Sequence, residues 1–337
     1  MSHALEVESL GDGIHRLAIP TPFLVGRVNV YLLEGPPLTL IDTGPNSGTS
    51  LDALQLSLRE VGHEMEDIEV VVLTHQHVDH VGLARIVSQR AGAQVIMPAA
   101  LGPYLSDWKA SAELDDELAA KVMETNGLGS GVTQAVKQVA RAYRAFGDSA
   151  RCDHPVSDGD QISIAGRDFT AHLRPGHSPT DMIFVEASTG LMIGGDHLLP
   201  KVSSNPVLSR RVDVEAPADT LERFRSLPAY VESLRATQKM DLGRILPGHG
   251  PVFEGHSQLI QERLRMHEDR AEKMFATLAD GPKTALEIAV SIWGDIARAQ
   301  PFLTFSEVIG HMDVLMDEGQ VVTSPIDSSG TQRFQAA

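Results

Sequence analysis

The stretch that most narrows the fold of this chain is residues 68–80, IEVVVLTHQHVDH. Its first half is a nearly continuous aliphatic run, the pattern of a strand covered on both faces. Such a strand demands a second layer on each side of its sheet. The second half then places His75, His77, Asp79 and His80 within six positions. Histidines two apart in an extended segment face the same way. Asp79 and His80 come as the chain turns towards a helix, and they can point to a second locus. Taken alone, the stretch also reads as a polar strand-to-helix junction in which Asp79 only caps the helix.

The neighbouring sequence supplies the layers. Residues 14–19, 28–34 and 38–42 are short apolar runs separated by turn signals, and they read as strands of one sheet. Asn46 and Ser47 open a helical pattern, Gly82 starts another, and residues 93–97 form the next strand. Alternating strands and helices indicate an α/β architecture. Residues 101–150 interrupt the alternation with helical patterns broken by GLGSG, as expected for a helical lid. Two hairpins follow, one turning at AGRD and one at Ser188-Thr189-Gly190. A helix is expected over about 217–238, then the strand GRILPGHG, then a connecting helix over 256–280. Beyond Gly281-Pro282 the order of helices and a final hairpin resembles a winged-helix module. The expected division is therefore 1–255, 256–280 and 281–337, with the lid inside the first part.

The bulk properties limit the chemistry. One cysteine, Cys152, excludes an internal disulfide and leaves any metal to histidine and carboxylate ligands. Lys plus Arg minus Asp plus Glu gives 28 − 45 = −17, a field that repels phosphate backbones and anionic membranes. No run reaches the roughly 18 apolar residues of a membrane span. The first residues show neither the basic nor the apolar part of a secretory signal. A cytoplasmic protein acting on a small molecule is the expectation, with nucleic acid and membrane disfavoured as partners.

Three further stretches set a histidine or aspartate just after a predicted strand: LRPGH with His177, IGGDH with Asp196 and ILPGHG with His249. Strand ends that open into glycine-containing loops are where α/β proteins carry functional side chains. HxHxDH, PGH, GGDH and PGHG occur here in that order, together with the early IDTG at 41–44 and DGD at 158–160. In this the chain resembles the metallo-β-lactamase-fold hydrolases, over roughly residues 10–255. Its tail resembles the small domain of lactamase-β-2-like members.

The resemblance implies an αββα sandwich of two mixed sheets flanked by helices. It also implies a binuclear centre. His75, His77 and His177 would hold one divalent metal, Asp79, His80 and His249 the second, and Asp196 would bridge them. A hydroxide shared by the metals would be the nucleophile, and Asp79 could accept its proton. Zinc is the default for such a ligand set, and iron or manganese also suit it. Asp42, in IDTG, is assigned a supporting role, hydrogen-bonding a ligand or the motif loop. His15, His63, His154, His172, His256, His267 and His311 are expected to be solvated or core residues. His197 should turn away from the site, and Cys152 should be inert.

His80 separates the chain from antibiotic-degrading relatives, and His77 from the diiron flavoprotein branch, whose motif carries glutamate there. Acyl hydrolases of the glyoxalase II-like kind, on thioesters, lactones or related esters, and lactamase-β-2-like phosphodiesterases or ribonucleases remain. A sensor that kept the fold would have lost ligands. The tail helix expected over 303–319 carries Asp and Glu but neither Lys nor Arg, which disfavours a nucleic-acid groove. It is expected to pack against the core, or against a second copy in a homodimer, and to help wall the active site. Tyr104, Trp108, Tyr143 and Phe146 give the lid an apolar surface suited to an acyl group. Arg141, Arg144 and Lys201 could meet an anionic end group. Where many relatives read GHTPGS, this chain has GHSPTD, so Asp181 either bonds near the site or begins the next strand.

Overall fold

The computed structural model describes residues 5–212 and 222–337. The first sheet runs in the order β1 (Val7–Gly11), β2 (Ile14–Ile19), β3 (Val28–Leu33), β4 (Thr39–Ile41), β5 (Val70–Val72), β6 (Gln94–Pro98) and β7 (His154–Val156). Its first four strands are antiparallel, and from β4 onward the pairing is parallel. Parallel strands need crossovers, and helices supply them. These are α1 (Gly48–Glu60), α2 (Val78–Val81) with α3 (Ala84–Ala91), and then the lid helices α4 (Leu101–Ser106), α5 (Trp108–Thr125) and α6 (Ser130–Tyr143). Ser47 caps α1 by accepting from the Ser50 N–H at 3.1 Å.

The second sheet comprises β8 (Gln161–Ile164), β9 (Arg167–Leu173), β10 (Met182–Glu186), β11 (Leu191–Gly195) and β12 (Ile245–Pro247). It is antiparallel except for the β11–β12 pair. On its outer side lie α7 (Ser226–Gln238) and α8 (His256–Ala276). The remainder forms α9 (Ala285–Trp293), α10 (Ile296–Ala299), α11 (Pro301–Asp317) and a hairpin of β13 (Val321–Thr323) with β14 (Phe334–Ala336).

Strand alternation sorts the aliphatic side chains into layers. From β3, Val30 and Leu32 face the helices while Tyr31 and Leu33 face the second sheet. From β10, Met182 and Phe184 join that inner layer while Ile183 and Val185 pack under α7 and α8 with Tyr230 and Leu234. Helices, sheet, sheet and helices therefore stack as the expected sandwich of two mixed sheets.

Boundaries differ from expectation in three places. The helix after β5 starts at Val78, not Gly82, so Asp79 and His80 sit in its first turn. The helix expected over 217–238 begins at Ser226, because the backbone at 222–224 pairs with that at 209–211 instead. Its expected part at 217–221 lies outside the described residues. The short α10 has no counterpart in the sequence pattern. The last segment also shares its core with the lid: Ala119 and Met123 of α5 pack in one cluster with Phe305, Val308 and Met312 of α11.

Candidate metal centre

All the strand ends bearing motif residues open at one edge of the sandwich. His75 and His77 follow β5, Asp79 and His80 begin α2, His177 follows β9, Asp196 follows β11 and His249 follows β12. Ligand atoms of His75, His77 and His177 lie within 4.8 Å of one another, as do those of Asp79, His80 and His249. A third such group, His75, His80 and Asp196, joins the two. Asp196 lies between them, its Oδ1 3.4 Å from His80 Nε2 and its Oδ2 3.5 Å from His177 Nε2 and 3.4 Å from His249 Nε2. His177 Nε2 is 2.8 Å from His77 Nδ1, and His249 Nε2 is 3.3 Å from Asp79 Oδ2.

Buried polar atoms are almost always hydrogen-bonded. His75 Nε2, His80 Nε2 and Asp196 Oδ1 are buried with no hydrogen-bond partner among the described residues, and all three converge on this cluster. The donor set, five imidazoles and two carboxylates in two overlapping groups, fits a pair of divalent cations.

The far side of four of the five rings is tied down, which fixes their orientation. His177 Nδ1 donates to the Asn205 carbonyl at 3.0 Å, and His249 Nδ1 to the Arg27 carbonyl at 2.8 Å. Asp42 serves the other side. Its carboxylate accepts from the Thr74 N–H and hydroxyl, both at 2.9 Å, and from His80 Nδ1 at 2.7 Å. Because the Thr74 hydroxyl proton goes to Asp42, its oxygen accepts from His75 Nδ1 at 3.0 Å. One aspartate thereby sets the tautomers of His80 directly and of His75 through Thr74, leaving both Nε2 lone pairs aimed inward. Asp42 adopts a left-handed φ of +56°, which asparagine and aspartate tolerate best among residues other than glycine.

The electrostatics follow from burial and from the two carboxylates. Burial, with His80 and His77 nearby, holds His75 well below its ordinary pKa, and burial beside His177 puts His77 at about 3. Both are neutral and ligand-competent. Burial would raise Asp79 and Asp196, but His249 and His80 hold Asp79 low and Asp196 well below the usual range. Burial likewise disfavours charge on His80 and His249, yet Asp196, with Asp42 and Asp79 respectively, pulls both upward. The locus attracts positive charge, for which protons and divalent cations compete.

Asp181 stays out of the centre and braces it. It accepts from the Ser178 N–H and hydroxyl, both at 2.8 Å, while Thr180 bonds Gln76 inside the HQH stretch. The change to GHSPTD thus ties the His177 loop to the first motif. Two motif glycines are required sterically. A Cβ on Gly248 would lie 2.1 Å from Asp196 Oδ1, and one on Gly176 would lie 2.4 Å from Tyr230 Cα. Pro247 is clamped from β3, its carbonyl accepting from Asn29 Nδ2 and the Tyr31 hydroxyl, both at 2.8 Å.

His197 turns away as expected and bonds Thr237 Oγ1 at 2.9 Å, and burial puts it at about 3. His267 and His311 are core residues, and they partner each other across α8 and α11 at 3.4 Å. Glu307 lies beside them and is engaged by Arg270. Cys152 is half-buried, and burial raises its thiol. Tyr104, Trp108 and Tyr143 face a cavity of about 670 Å³ that reaches His77, Asp79, His177, Asp196 and His249. Phe146 instead packs against Phe23. Arg141 and Arg144 are paired with Glu113 and Asp116.

The metallo-beta-lactamase superfamily model matches residues 24–249. A probable metallo-hydrolase of Bacillus subtilis (strain 168) is 35% identical, across 93% of this chain and 95% of that one. The crystal structure of a metallo-beta-lactamase family protein from Thermus thermophilus superposes with a TM-score of 0.79 at 26% identity, covering 98% of this chain and all of the other. An atrochrysone carboxyl ACP thioesterase of Aspergillus fumigatus is 23% identical, across 86% of this chain and 76% of that one.

Proposed function

This chain belongs to the metallo-β-lactamase superfamily and is a metal-dependent hydrolase, and on that premise we propose a binuclear enzyme acting on acyl substrates: thioesters, lactones or related esters. His75, His77 and His177 would hold one cation, Asp79, His80 and His249 the other, with Asp196 available to both. Cations in these positions supply Lewis acidity and bring the pKa of a bound water towards neutrality. The chain does the rest. Asp42 and Thr74 keep His75 and His80 in the ligating tautomer, and the Asn205 and Arg27 carbonyls orient His177 and His249. Asp79, facing the cavity, takes up the proton that the attacking water releases.

The observation that carries the acyl reading is the wall beside the ligands. Ala112, Met123, Val136, Val139 and Phe302 line it, and its acidic groups are matched, Asp115 by Arg210 at 3.3 Å and Asp116 by Arg144. A wall this apolar suits an acyl group and offers a phosphodiester backbone little. The thioesterase named among the relatives supports the same choice. Zinc-loaded protein assayed on a thioester, a lactone and an aryl phosphodiester decides between them. Preference for the phosphodiester would overturn the acyl reading.

A further inference from the structure

Four parts of the chain that lie far apart in sequence close around the cavity. The lid contributes Ala112, Ala119 and Met123 from α5 and Val136, Val139 and Tyr143 from α6. The loop after β2 contributes Phe23, Leu24 and Val25, the segment after β11 contributes Leu199, Val202, Val207 and Leu208, and the start of α11 contributes Gln300, Phe302 and Leu303. One end of the cavity is the ligand cluster. The other lies between the lid and the final helical segment, where Ala119 and Met123 leave the cavity wall to join the core of α11.

The rim is unusual for a protein surface. Leu24 is 92% exposed, Val139 54%, Val202 47% and Leu303 39%, and all four line the same opening. Large apolar side chains clustered around one concavity mark a binding site, whereas scattered ones mark nothing. Some of the polar groups inside pair with one another: the Tyr104 hydroxyl donates to Asp115 Oδ2 at 2.6 Å, and Arg210 faces Asp115 and lies 5.4 Å from the Tyr104 ring centroid. Beyond them the lid side of the wall is mostly apolar, with Lys137 among its residues. A cavity of about 670 Å³ is in the range that encloses a drug-sized ligand. An acetyl group would leave most of its apolar wall uncovered.

From this geometry we infer that the cavity is an acyl-chain subsite, built jointly by the lid, the 21–26 loop, the 199–209 segment and α11, and that it selects long acyl groups over acetyl. The inference rests on the acyl-hydrolase reading and deepens it. The carbonyl carbon sits at the ligand cluster, the leaving group points to solvent, and the chain runs between α5, α6 and the start of α11. Each methylene transferred from water to such a wall favours binding about fourfold. The final helical segment is on this view part of the specificity apparatus.

The test holds the leaving group constant and varies the acyl chain from two to sixteen carbons, using the full-length zinc-loaded protein. kcat/KM should climb with length, by up to about fourfold per methylene, before levelling off. Leu303→Asp on α11 and Val139→Asp on α6 place a charge on the exposed wall away from the ligands. Each should cut kcat/KM for the long-chain substrates about tenfold or more relative to the acetyl substrate measured on the same sample. A merely structural effect would lower both, and it would overturn the assignment of these walls to the substrate. A flat or falling length profile, with acyl hydrolysis intact, overturns the inference and leaves the acyl-hydrolase reading standing. No hydrolysis at any length, with an aryl phosphodiester cleaved, overturns both.

Discussion

Asp42→Asn isolates the hydrogen-bond relay behind the metal centre. Asparagine keeps the shape and tolerates the φ of +56°, so the backbone is spared. Its single amide oxygen can keep the Thr74 N–H bond, now at 2.9 Å. Its NH2 group then faces Thr74 Oγ1 and His80 Nδ1, which are 2.9 Å and 2.7 Å from the present Oδ2. To accept from that amide, His80 must move its proton to Nε2, the atom aimed at the centre. Thr74 Oγ1, also accepting from the amide, turns its own proton to His75 Nδ1 and forces the same change there. Loss of such a supporting partner costs about 10- to 100-fold in metal affinity, or about 1.4–2.7 kcal/mol per cation. Both cations should be affected, because one relay serves a ligand in each group. Chelator competition followed by elemental analysis should show both released at lower chelator concentration, and hydrolysis should fall in parallel at limiting metal. Wild-type retention of both cations with unchanged turnover would refute the relay. Selective loss of the cation held by His80 would refute its extension through Thr74.

Other consequences are checked more simply. Gly248→Ala drives a methyl group to within 2.1 Å of Asp196 Oδ1, so metal content should drop even where circular dichroism shows the chain folded. The Asp313 carboxylate, 1% exposed, is held bidentately by Arg223 at 2.6 Å on both arms, while Arg225, 45% exposed, stands 3.8 Å from it. Urea unfolding should therefore show Arg223→Ala costing about 3 kcal/mol, the penalty of a buried charge left alone. Arg225→Ala should cost under about 1 kcal/mol; equal costs would contradict the buried-pair argument. The Arg167 hydrogen bonds hold Glu186 below its ordinary carboxylate pKa of 4.5. A depressed carboxylate stabilises the fold above the unfolded pKa and loses that contribution as pH falls through the folded one. Glu186→Gln should thus cost about 1–3 kcal/mol near pH 7. The difference should shrink below pH 4.5, and one that persists unchanged at pH 3 would exclude the ionic origin.

How far the sequence discloses this molecule depends on the range of the interactions. The run through Val70–Val72 is readable because a strand buried on both faces has no polar alternation, and the four motifs are readable because ligand chemistry permits few residue types. The partners of those ligands are less accessible. Thr74 stands in the same stretch, but its effect on His75 appears only when Asp42 is beside it. The Asn205 and Arg27 carbonyls belong to the backbone, so no residue type announces them. Asp181 presents two readings until the fold brings its loop back onto Ser178. The late start of α7 has the same cause, since pairing between 209–211 and 222–224 is a long-range gain that local helix propensity does not contain. Apolar spacing in α5 and α11 marks each helix as having a buried face. It does not say that Met123 and Phe305 bury those faces against one another.

The central claim is that seven side chains hold two cations, with Asp196 shared between them. Elemental analysis of purified protein beside its Asp196→Ala variant, with acyl hydrolysis measured on the same samples, addresses it directly. The account predicts about two divalent cations per chain in the wild type, and fewer than two with no measurable turnover in the variant. Full activity and an unchanged metal content in the variant would contradict it.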